Sequence, residues 1–556
     1  MKENRYPNGE ILQKEEMEIG GGQSQMQHTQ YQEGQSQTQH AQYQGGQPQT
    51  QHAQYQERQP QTQHIQYQVE RPPSIIQKNF RFFALASAIY AVFYTLCLYE
   101  NLSGVTFPFF IGGTLYYFYS CMKKLEVPWK KDAVFHMAGI ILLGISVFLT
   151  DDERIIGMNY VGIFVLMVSF MIHHFYKDEK WPFGKYLLAI CECGFRTIAA
   201  IWNPFHDVGL FLKTKDKGRD TKLKYVIIGL LISAPLLLLV MALLMSADGI
   251  FAMWSFRFLK AIQIPENVFG VLFTVLFAYI ASYSFISALE RRGIKEEVKN
   301  AKNAEPVIAI TFTGILSVIY FIFSIVQIQG LFLGQMAIPH EYTYAKYARE
   351  GFFQLLFVCI INLLLVLICM ALFRESKVLK IMLTVISGCT FIMIASSAYR
   401  MILYIDVYQL TFLRIFVLWS LLVIFILIAG ILVNIYWKNF PLFRFSMTMV
   451  TVLYVLFSFS HPDYFIAKYN IKAIRKQAQM ETKTQEYDGD YYYLGQLSAD
   501  AASAFLSEDV SQGFGENEEY LQQYFKVQKN VYEKMSWREF NVSRYLAGRA
   551  EKVYHK

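Results

Sequence analysis

Uninterrupted apolar runs near 20 residues long recur along this chain from Phe80 onward, and no other feature constrains its fold as much. A helix rises about 1.5 Å per residue, so a run of about 20 residues crosses a hydrocarbon core of roughly 30 Å. Charged residues make up 17% of the chain, whereas soluble domains carry about a quarter. The runs therefore predict an all-α, polytopic transmembrane helix bundle over residues 80–459.

The apolar runs predict about eleven spanning helices. They are placed at residues 80–99, 104–121, 133–150, 155–175, 225–246, 267–288, 307–328, 352–373, 381–402, 411–434 and 442–459.

The positive charges of the loops predict the orientation, because cytoplasmic loops retain an excess of Lys and Arg. With the N-terminus inside, the inner loops hold 24 Lys and Arg and the outer loops hold 6. This split predicts a cytoplasmic N-terminus. An odd number of spans then leaves residues 460–556 outside the cell.

A further apolar stretch at 186–202 contains Glu192 and Arg196 and is interpreted as a helix in the membrane interface. The two charged residues are spaced i, i+4 and can pair on one face. The apolar residues fall on another face, namely Leu187, Leu188, Cys191, Phe195, Ile198, Ala199 and Trp202.

The two ends of the chain are predicted to lie outside the bundle. Residues 1–79 form a glutamine-rich tail with a 12-residue repeat over 23–70, and such units bury too little apolar surface to fold, so we expect disorder. Residues 460–556 are interpreted as a small extracellular helical domain. Its last part contains a capping box, in which Ser536 is followed three residues later by Glu539.

Composition and motifs exclude several function classes. The net charge of +7 lies mainly in loops on one side, so nucleic acid is not an expected partner. The seven cysteines fall in or beside apolar segments, and the pair Cys191 and Cys193 lacks the further ligands of a zinc site. The sequence contains no common catalytic or nucleotide-binding motif. We therefore expect no cofactor and no metal, and favour a protein without enzymatic activity.

Polar residues within the predicted spans are few. No span carries Asp or Glu near its middle, which disfavours an ion-coupled transporter. Asn362 lies at mid-depth and is expected to bond to a neighbouring helix. His173 and His174, at the inner end of the fourth span, are interpreted as polar side chains that reach toward the interface.

The outer hairpin around residues 399–414 holds the most suggestive polar group. Arg400 and Arg414 are expected within the outer leaflet, where a guanidinium group needs a partner. The predicted outer-leaflet network comprises Arg400, Asp406, Arg414, Arg349, Glu350 and Asp248. A structural network of ion pairs is favoured over a site for an anionic ligand such as a lipid phosphate.

Several of these stretches resemble the Domain of Unknown Function 4173 family and its 4153 relatives, which are bacterial polytopic membrane proteins. The matching stretches are 347–355, 399–404, 408–414, 469–470, 493–494, 497–501, 537–538 and 541–544. Gln409 departs from the pattern, which favours Gly at that position. The resemblance implies an architecture and a multi-pass location in a bacterial plasma membrane, without a substrate.

The favoured function is a non-enzymatic envelope protein whose bundle holds the C-terminal helices as a sensing or interaction module. Its expected partners are the lipid bilayer, including anionic lipid, and other envelope proteins. Two alternatives stay open: a permease for an uncharged or lipid-like substrate, and an intramembrane transferase acting on a lipid-linked substrate, which needs the outer arginines to hold a phosphate.

Overall fold

A computed structural model describes residues 73–554 except 179–180, 216–220, 262–266, 296–301, 330–343, 438, 480–486 and 507–517. Some stretches within this range, such as 344–350, are described for the backbone only. Across the described residues the regular structure is helical, without a strand. The repeat-containing tail up to residue 72 lies outside the described residues, so its disorder stays a prediction.

The described α-helices are numbered here in chain order. They are α1 (Ile75–Lys78), α2 (Phe80–Leu98), α3 (Thr106–Lys124), α4 (Val134–Leu149), α5 (Glu153–Phe175), α6 (Phe183–Ala199), α7 (Asn203–Lys215), α8 (Thr221–Ala247), α9 (Gly249–Ala261), α10 (Val268–Glu290), α11 (Pro306–Gln327), α12 (Tyr344–Leu372), α13 (Lys377–Tyr408), α14 (Phe412–Tyr436), α15 (Leu442–Ser458), α16 (Pro462–Gln479), α17 (Tyr487–Gly495), α18 (Ala502–Phe505), α19 (Glu518–Lys534) and α20 (Val542–Tyr554).

Eight of these helices are long and apolar enough to cross a membrane, counted over the described residues. They are α2, α4 (with Lys131–Ala133 before it), α5, α10, α11, α12, α13 and α14. Each coincides with a predicted span. The protein is therefore an all-α helix bundle with several membrane-spanning helices.

The other three predicted spans also form helices, although they are not among the eight helices that qualify within the described residues. The segment 104–121 is α3, whose Thr, Gly and Tyr residues make it less apolar than a typical span. The segment 442–459 is α15, which qualifies only together with α16, and the two helices bend by 56° at the break between them. The segment 225–246 lies in α8, where part of the side chains is outside the described residues.

The amphipathic helix predicted at 186–202 is α6, which begins three residues earlier. All seven residues assigned to its apolar face are exposed, whereas Tyr186, Ala189 and Cys193 pack into the bundle. The predicted pair also forms, with Arg196 Nη2 at 2.7 Å from Glu192 Oε1. An apolar face turned away from the protein is what a helix in the membrane interface requires.

Helices α16 to α20 share a core of their own. Fully buried aromatic residues lie at its centre, among them Phe505, Tyr524 and Phe525. The capping box at Ser536 and Glu539 is present, although it begins a short 3₁₀ helix (Trp537–Glu539) rather than α20 itself. We call α16 to α20 the C-terminal module, and Leu410, Phe412 and Ile415 of the bundle pack against the same core.

The C-terminal module contacts the loops at one end of the bundle. Asn541 donates hydrogen bonds to the carbonyl oxygens of Ser103 and Thr150, and Asn470 bonds to the backbone of Leu410. The loops around these residues therefore lie on the same side as the C-terminal module. The loop charges predicted the same grouping.

Candidate functional site

Arg400, the first residue of the predicted outer network, is buried near the end of α13. Its Nη2 donates to Gln327 Oε1 of α11 at 3.2 Å, and Ser396 donates to the same oxygen at 2.6 Å. A Cβ added at Gly351 would overlap Arg400 Nη1, so the glycine of α12 makes room for the guanidinium group. Arg400 thus joins three spanning helices, through a glutamine that the sequence did not single out.

Arg414, at the start of α14, caps the C-terminal end of α13. Its Nη1 donates to the carbonyl oxygens of Tyr408 and Gln409, and its guanidinium group lies 4.4 Å from the centre of the Tyr404 ring. Arginines near a helix C-terminus stabilise the last carbonyl groups in this way. This guanidinium group is therefore engaged in holding the hairpin.

Gln409 adopts φ 68° and ψ −179°, a conformation that glycine adopts readily and other residues rarely do. The turn therefore has a backbone geometry that suits glycine, although the residue at this position is glutamine. We infer that this position is strained.

The other members of the predicted network are dispersed. Asp406 accepts a hydrogen bond from Tyr469 at 3.4 Å, and Asp248 accepts one from the backbone N–H of Ile250 at the start of α9. The ion pairs between described side chains do not include one joining Asp406 to Arg414. The side chains of Arg349 and Glu350 lie outside the described residues, so their part in the network stays a prediction.

A more extensive polar group joins the C-terminal module to the loop between α4 and α5. We call it the docking cluster, and it consists of Asp151, Asp152, Arg154, His461, Asp463, Asp500 and Arg544.

Arg154 is central to the docking cluster. It forms two parallel hydrogen bonds of 2.8 Å with Asp152, and its Nη2 lies 2.6 Å from Asp463 Oδ1 of α16. Both carboxylates are 1% exposed. The guanidinium group also lies 4.1 Å from the centre of the Phe412 ring at the start of α14. One side chain therefore connects three helices that are far apart in the sequence.

Asp500 and Asp151 make a second set of contacts beside the first. Asp500 accepts hydrogen bonds from Thr150 Oγ1 at 2.5 Å and from the backbone N–H of Asp151 at 3.1 Å. His461 Nδ1 lies 3.2 Å from the same carboxylate. Arg544 Nε lies 2.5 Å from Asp151 Oδ1. The module therefore accepts hydrogen bonds from the bundle loop through Asp500 and donates one to it through Arg544.

Burial and pairing shift the pKa values within the docking cluster. The hydrogen bond to Asp500 raises the pKa of His461 above its usual 6.5. Burial raises the pKa of Asp500, but the hydrogen bonds from His461, Ser543 and Thr150 offset this, so the net pKa lies below 3.8. Burial raises the pKa of Asp151. The contact therefore favours a protonated His461 facing an ionised Asp500.

A line of polar contacts continues from the docking cluster into the bundle. This polar seam consists of Ser146, Asn159, Tyr454 and Ser458 on α4, α5 and α15. Asn159 Oδ1 accepts hydrogen bonds of 2.8 Å from Tyr454 and from Ser458. Buried polar groups within a bundle are stable only when bonded in this way.

At the opposite end of α4 and α5 lies the histidine cluster, which consists of Asp132, His136, His173, Asp178 and Tyr186. His173 lies between two carboxylates, with Nδ1 at 2.9 Å from Asp178 and Nε2 at 3.0 Å from Asp132. Tyr186 of α6 donates to Asp178 at 3.0 Å. Ser169 connects Tyr186 to His136 through contacts of 3.3 and 3.1 Å.

The prediction that His173 and His174 reach toward the interface is wrong. Both are buried, at 4% and 3% exposed, because α6 and the residues before α4 pack over them. Burial raises the pKa of Asp178, but the hydrogen bond from His173 offsets this and the net pKa is below 3.8. The prediction for Asn362 is confirmed, since it donates to Thr390 of α13 at 3.0 Å.

Sequence reasoning missed the docking cluster, although it singled out Tyr469–Asn470 and the stretches 497–501 and 541–544 through the family resemblance. The available signal was the run of acidic residues at 151–153 in a loop followed at once by Arg154. No group of three His, Cys, Asp or Glu side chains with metal-site geometry occurs among the described residues.

Comparison with protein-family models gives a match to the Domain of unknown function (DUF4153) over residues 137–507. No curated protein and no solved structure matches the chain. The matched region contains the polar seam, most of the docking cluster and three residues of the histidine cluster. Because the match covers more than half of the sequence, the chain belongs to the DUF4153 family.

Proposed function

We propose that this integral membrane protein is a non-enzymatic sensing or interaction protein of the bacterial envelope. In this proposal the C-terminal module binds an envelope partner, and its state is transmitted through α4 and α5 to the other side of the membrane. The observation that carries the proposal is the docking cluster, because buried ion pairs connect the module directly to the loop between these two helices.

The two helices offer a continuous route between the membrane faces. The docking cluster lies at one end of α5 and the histidine cluster at the other, and α5 is 23 residues long. At about 1.5 Å per residue this corresponds to roughly 35 Å. The polar seam fixes α4, α5 and α15 to one another between these ends. A displacement of the C-terminal module would therefore shift α4 and α5 along their whole length.

The proposed orientation places the N-terminus in the cytoplasm and the C-terminal module outside the cell. The loop charges support it, and the resemblance to the 4173 family supports a bacterial plasma membrane. An impermeant maleimide applied to intact cells tests the orientation. In a Cys191→Ser background, we expect labelling of Glu519→Cys in the module and no labelling of Arg292→Cys, and the reverse pattern would overturn the orientation.

The outer arginines give the transferase alternative little support. That function needs both guanidinium groups for a phosphate, whereas Arg414 is bonded to backbone carbonyl oxygens and packs on Tyr404. Arg400 is bonded to Gln327 inside the bundle. The permease alternative stays a prediction of the sequence.

Native Cys193 provides a reporter for coupling between the two ends. It lies on the buried face of α6 at 2% exposed, on the same helix as Tyr186 of the histidine cluster. Arg544→Gln removes one ion pair of the docking cluster at the far end. We expect Cys193 to react several-fold faster with a maleimide in purified Arg544→Gln protein, while buried Cys359 of α12 reacts at the wild-type rate.

A matched control is Arg374→Gln, which removes an exposed ion pair with Glu305. It should change neither rate. Hydrogen exchange of residues 150–156 reports whether Arg544→Gln has loosened the docking cluster. Loosening there without any change at Cys193 would contradict coupling through the hairpin, and unchanged exchange of residues 150–156 would contradict a role for the docking cluster.

A further inference from the structure

A cavity of about 470 Å³ lies inside the bundle, away from the clusters described above. Its walls come from α2, α3, α5 and α10, and one end reaches α6. Three of these walls, α2, α5 and α10, are candidate membrane spans. The residues around its two ends are Leu98 and Leu102 on the side of the C-terminal module and Thr197 on the side of α6.

The cavity opens sideways between α5 and α10. Phe164 and Phe277 both line it, yet they are 63% and 59% exposed. These side chains therefore stand at the rim, with one side toward the cavity and the other toward the surroundings of the bundle. At the depth of a spanning helix those surroundings are lipid chains rather than water.

The lining is suited to a hydrocarbon chain. Most of it is aromatic or aliphatic, and most of its hydroxyl groups are already bonded within the protein. Tyr90 and Thr114 bond to each other at 3.0 Å, Thr197 donates to the carbonyl oxygen of Cys193, and Ser282 donates to that of Tyr279. Such a lining offers little to a sugar or an ion.

One hydroxyl group of the lining differs from the rest. Tyr94 has no hydrogen-bond partner among the described residues, and it lies about one turn from the end of α2 at Leu98. Tyrosine is enriched near the ends of spanning helices, at the level of the lipid head groups. A tyrosine there can donate to an ester carbonyl oxygen while its ring stays among apolar groups.

The size of the cavity fits a single chain. At about 30 Å³ for each small group, 470 Å³ holds roughly 15 groups of the size of a water molecule or a methylene. We propose that the cavity binds one acyl chain of a membrane phospholipid, which enters between α5 and α10 and accepts a hydrogen bond from Tyr94 at its ester group.

A phosphatidylglycerol probe with a diazirine at the middle of one acyl chain tests the proposal. The full-length protein is reconstituted in vesicles that contain the probe, irradiated and mapped by mass spectrometry. We expect the adducts to concentrate on the lining segments of α2, α3, α5 and α10. Equal labelling of exposed spanning surfaces, such as that of α13 around Ala395, would overturn the proposal.

Two matched variants separate occupancy of the cavity from contact with bulk lipid. Ala281→Trp fills the cavity from α10 and should reduce labelling of the lining about tenfold. Ala395→Trp adds the same side chain to an exposed site on α13 and should leave labelling unchanged. Tyr94→Phe should keep the position of the adducts but lower their yield several-fold, and a yield equal to wild type would show that the hydroxyl group does not bind the ester.

Protein quality is checked by size-exclusion chromatography before labelling. If Ala281→Trp is not recovered as a single symmetric peak, Ala281→Leu replaces it, and a smaller but clear reduction is expected. Undiminished labelling of the lining in whichever of these variants is well folded overturns the proposal. A probe with the diazirine in its head group should label the lining weakly in the wild type, and strong labelling would show that the cavity binds head groups instead.

Discussion

Replacing Arg154 by glutamine is expected to release the C-terminal module from the bundle loop. The guanidinium group bonds to both Asp152 and Asp463, which are each 1% exposed. Removing it leaves both carboxylates buried without the guanidinium group that they share. Leaving a buried charge uncompensated is strongly destabilising, whereas losing an exposed ion pair costs little.

The expected loss follows from the burial of the three groups. Breaking a buried ion pair by removing one partner costs about 3–5 kcal/mol. The Arg154 side chain is itself 41% exposed, so water can reach part of the vacated space and the lower end, about 3 kcal/mol, applies. At about 1.4 kcal/mol per factor of ten, the population of the released state should rise about a hundredfold.

Hydrogen exchange at Asp151 measures this release. Its backbone N–H donates to Asp500 Oδ1 of the module at 3.1 Å, so the amide is protected while the module is docked. Exchange should accelerate about a hundredfold in Arg154→Gln. The double variant Arg154→Gln with Asp463→Asn should recover much of the protection, because the amide side chain keeps a hydrogen-bonding oxygen without a charge.

A control shows whether burial is the cause. Arg374→Gln removes an ion pair of 3.1 Å whose side chains are 60% and 64% exposed, and it should change exchange at Asp151 less than twofold. The reasoning is refuted if Arg154→Gln accelerates exchange by less than about threefold. It is equally refuted if the neutral double variant exchanges as fast as the single one.

Three further changes have definite expected outcomes. Gln409→Gly should raise the free energy of unfolding relative to Gln409→Ala by about 1–2 kcal/mol, because only glycine relieves the positive φ; equal thermal stability of the two variants would rule out strain. The raised pKa of His461 means that its contribution is complete below pH 6.5 and is lost as pH rises through the higher folded-state value; thermal unfolding followed from pH 6.5 to 9 should show this loss in the wild type and not in His461→Gln. Gly351→Ala should displace Arg400 and lower stability by about 1–3 kcal/mol, and a thermal midpoint identical to that of the wild type would contradict the close approach.

Local patterns in the sequence were sufficient to predict the features that depend only on residues close together along the chain. The eight candidate spans follow from runs of apolar residues, since transfer of each residue into lipid depends mainly on its own side chain. The exposed face of α6 and its pair between Glu192 and Arg196 follow from helical periodicity alone. These features would persist in almost any packing of the helices.

The polar sites depended on contacts that no local pattern contains. Arg154 and Asp463 are 309 residues apart in the sequence, and Gln327 and Arg400 are 73 apart. In the 18-residue apolar stretch of α5, 61% of the residues are buried, so the polar residues of this helix face other helices rather than one solvated side. His173 consequently lies between two carboxylates instead of reaching the interface.

The two kinds of feature differ in what determines their free energy. One kind depends on a side chain and the medium around it, whereas the other depends on a particular partner group. Hydrophobic transfer is non-directional and can be read from composition and period. An ion pair needs two groups within about 4 Å of each other in the same packed interface. Only the tertiary structure, which brings the loop before α5 against α16 and α20, decides that Arg154 and Asp151 hold the C-terminal module in place.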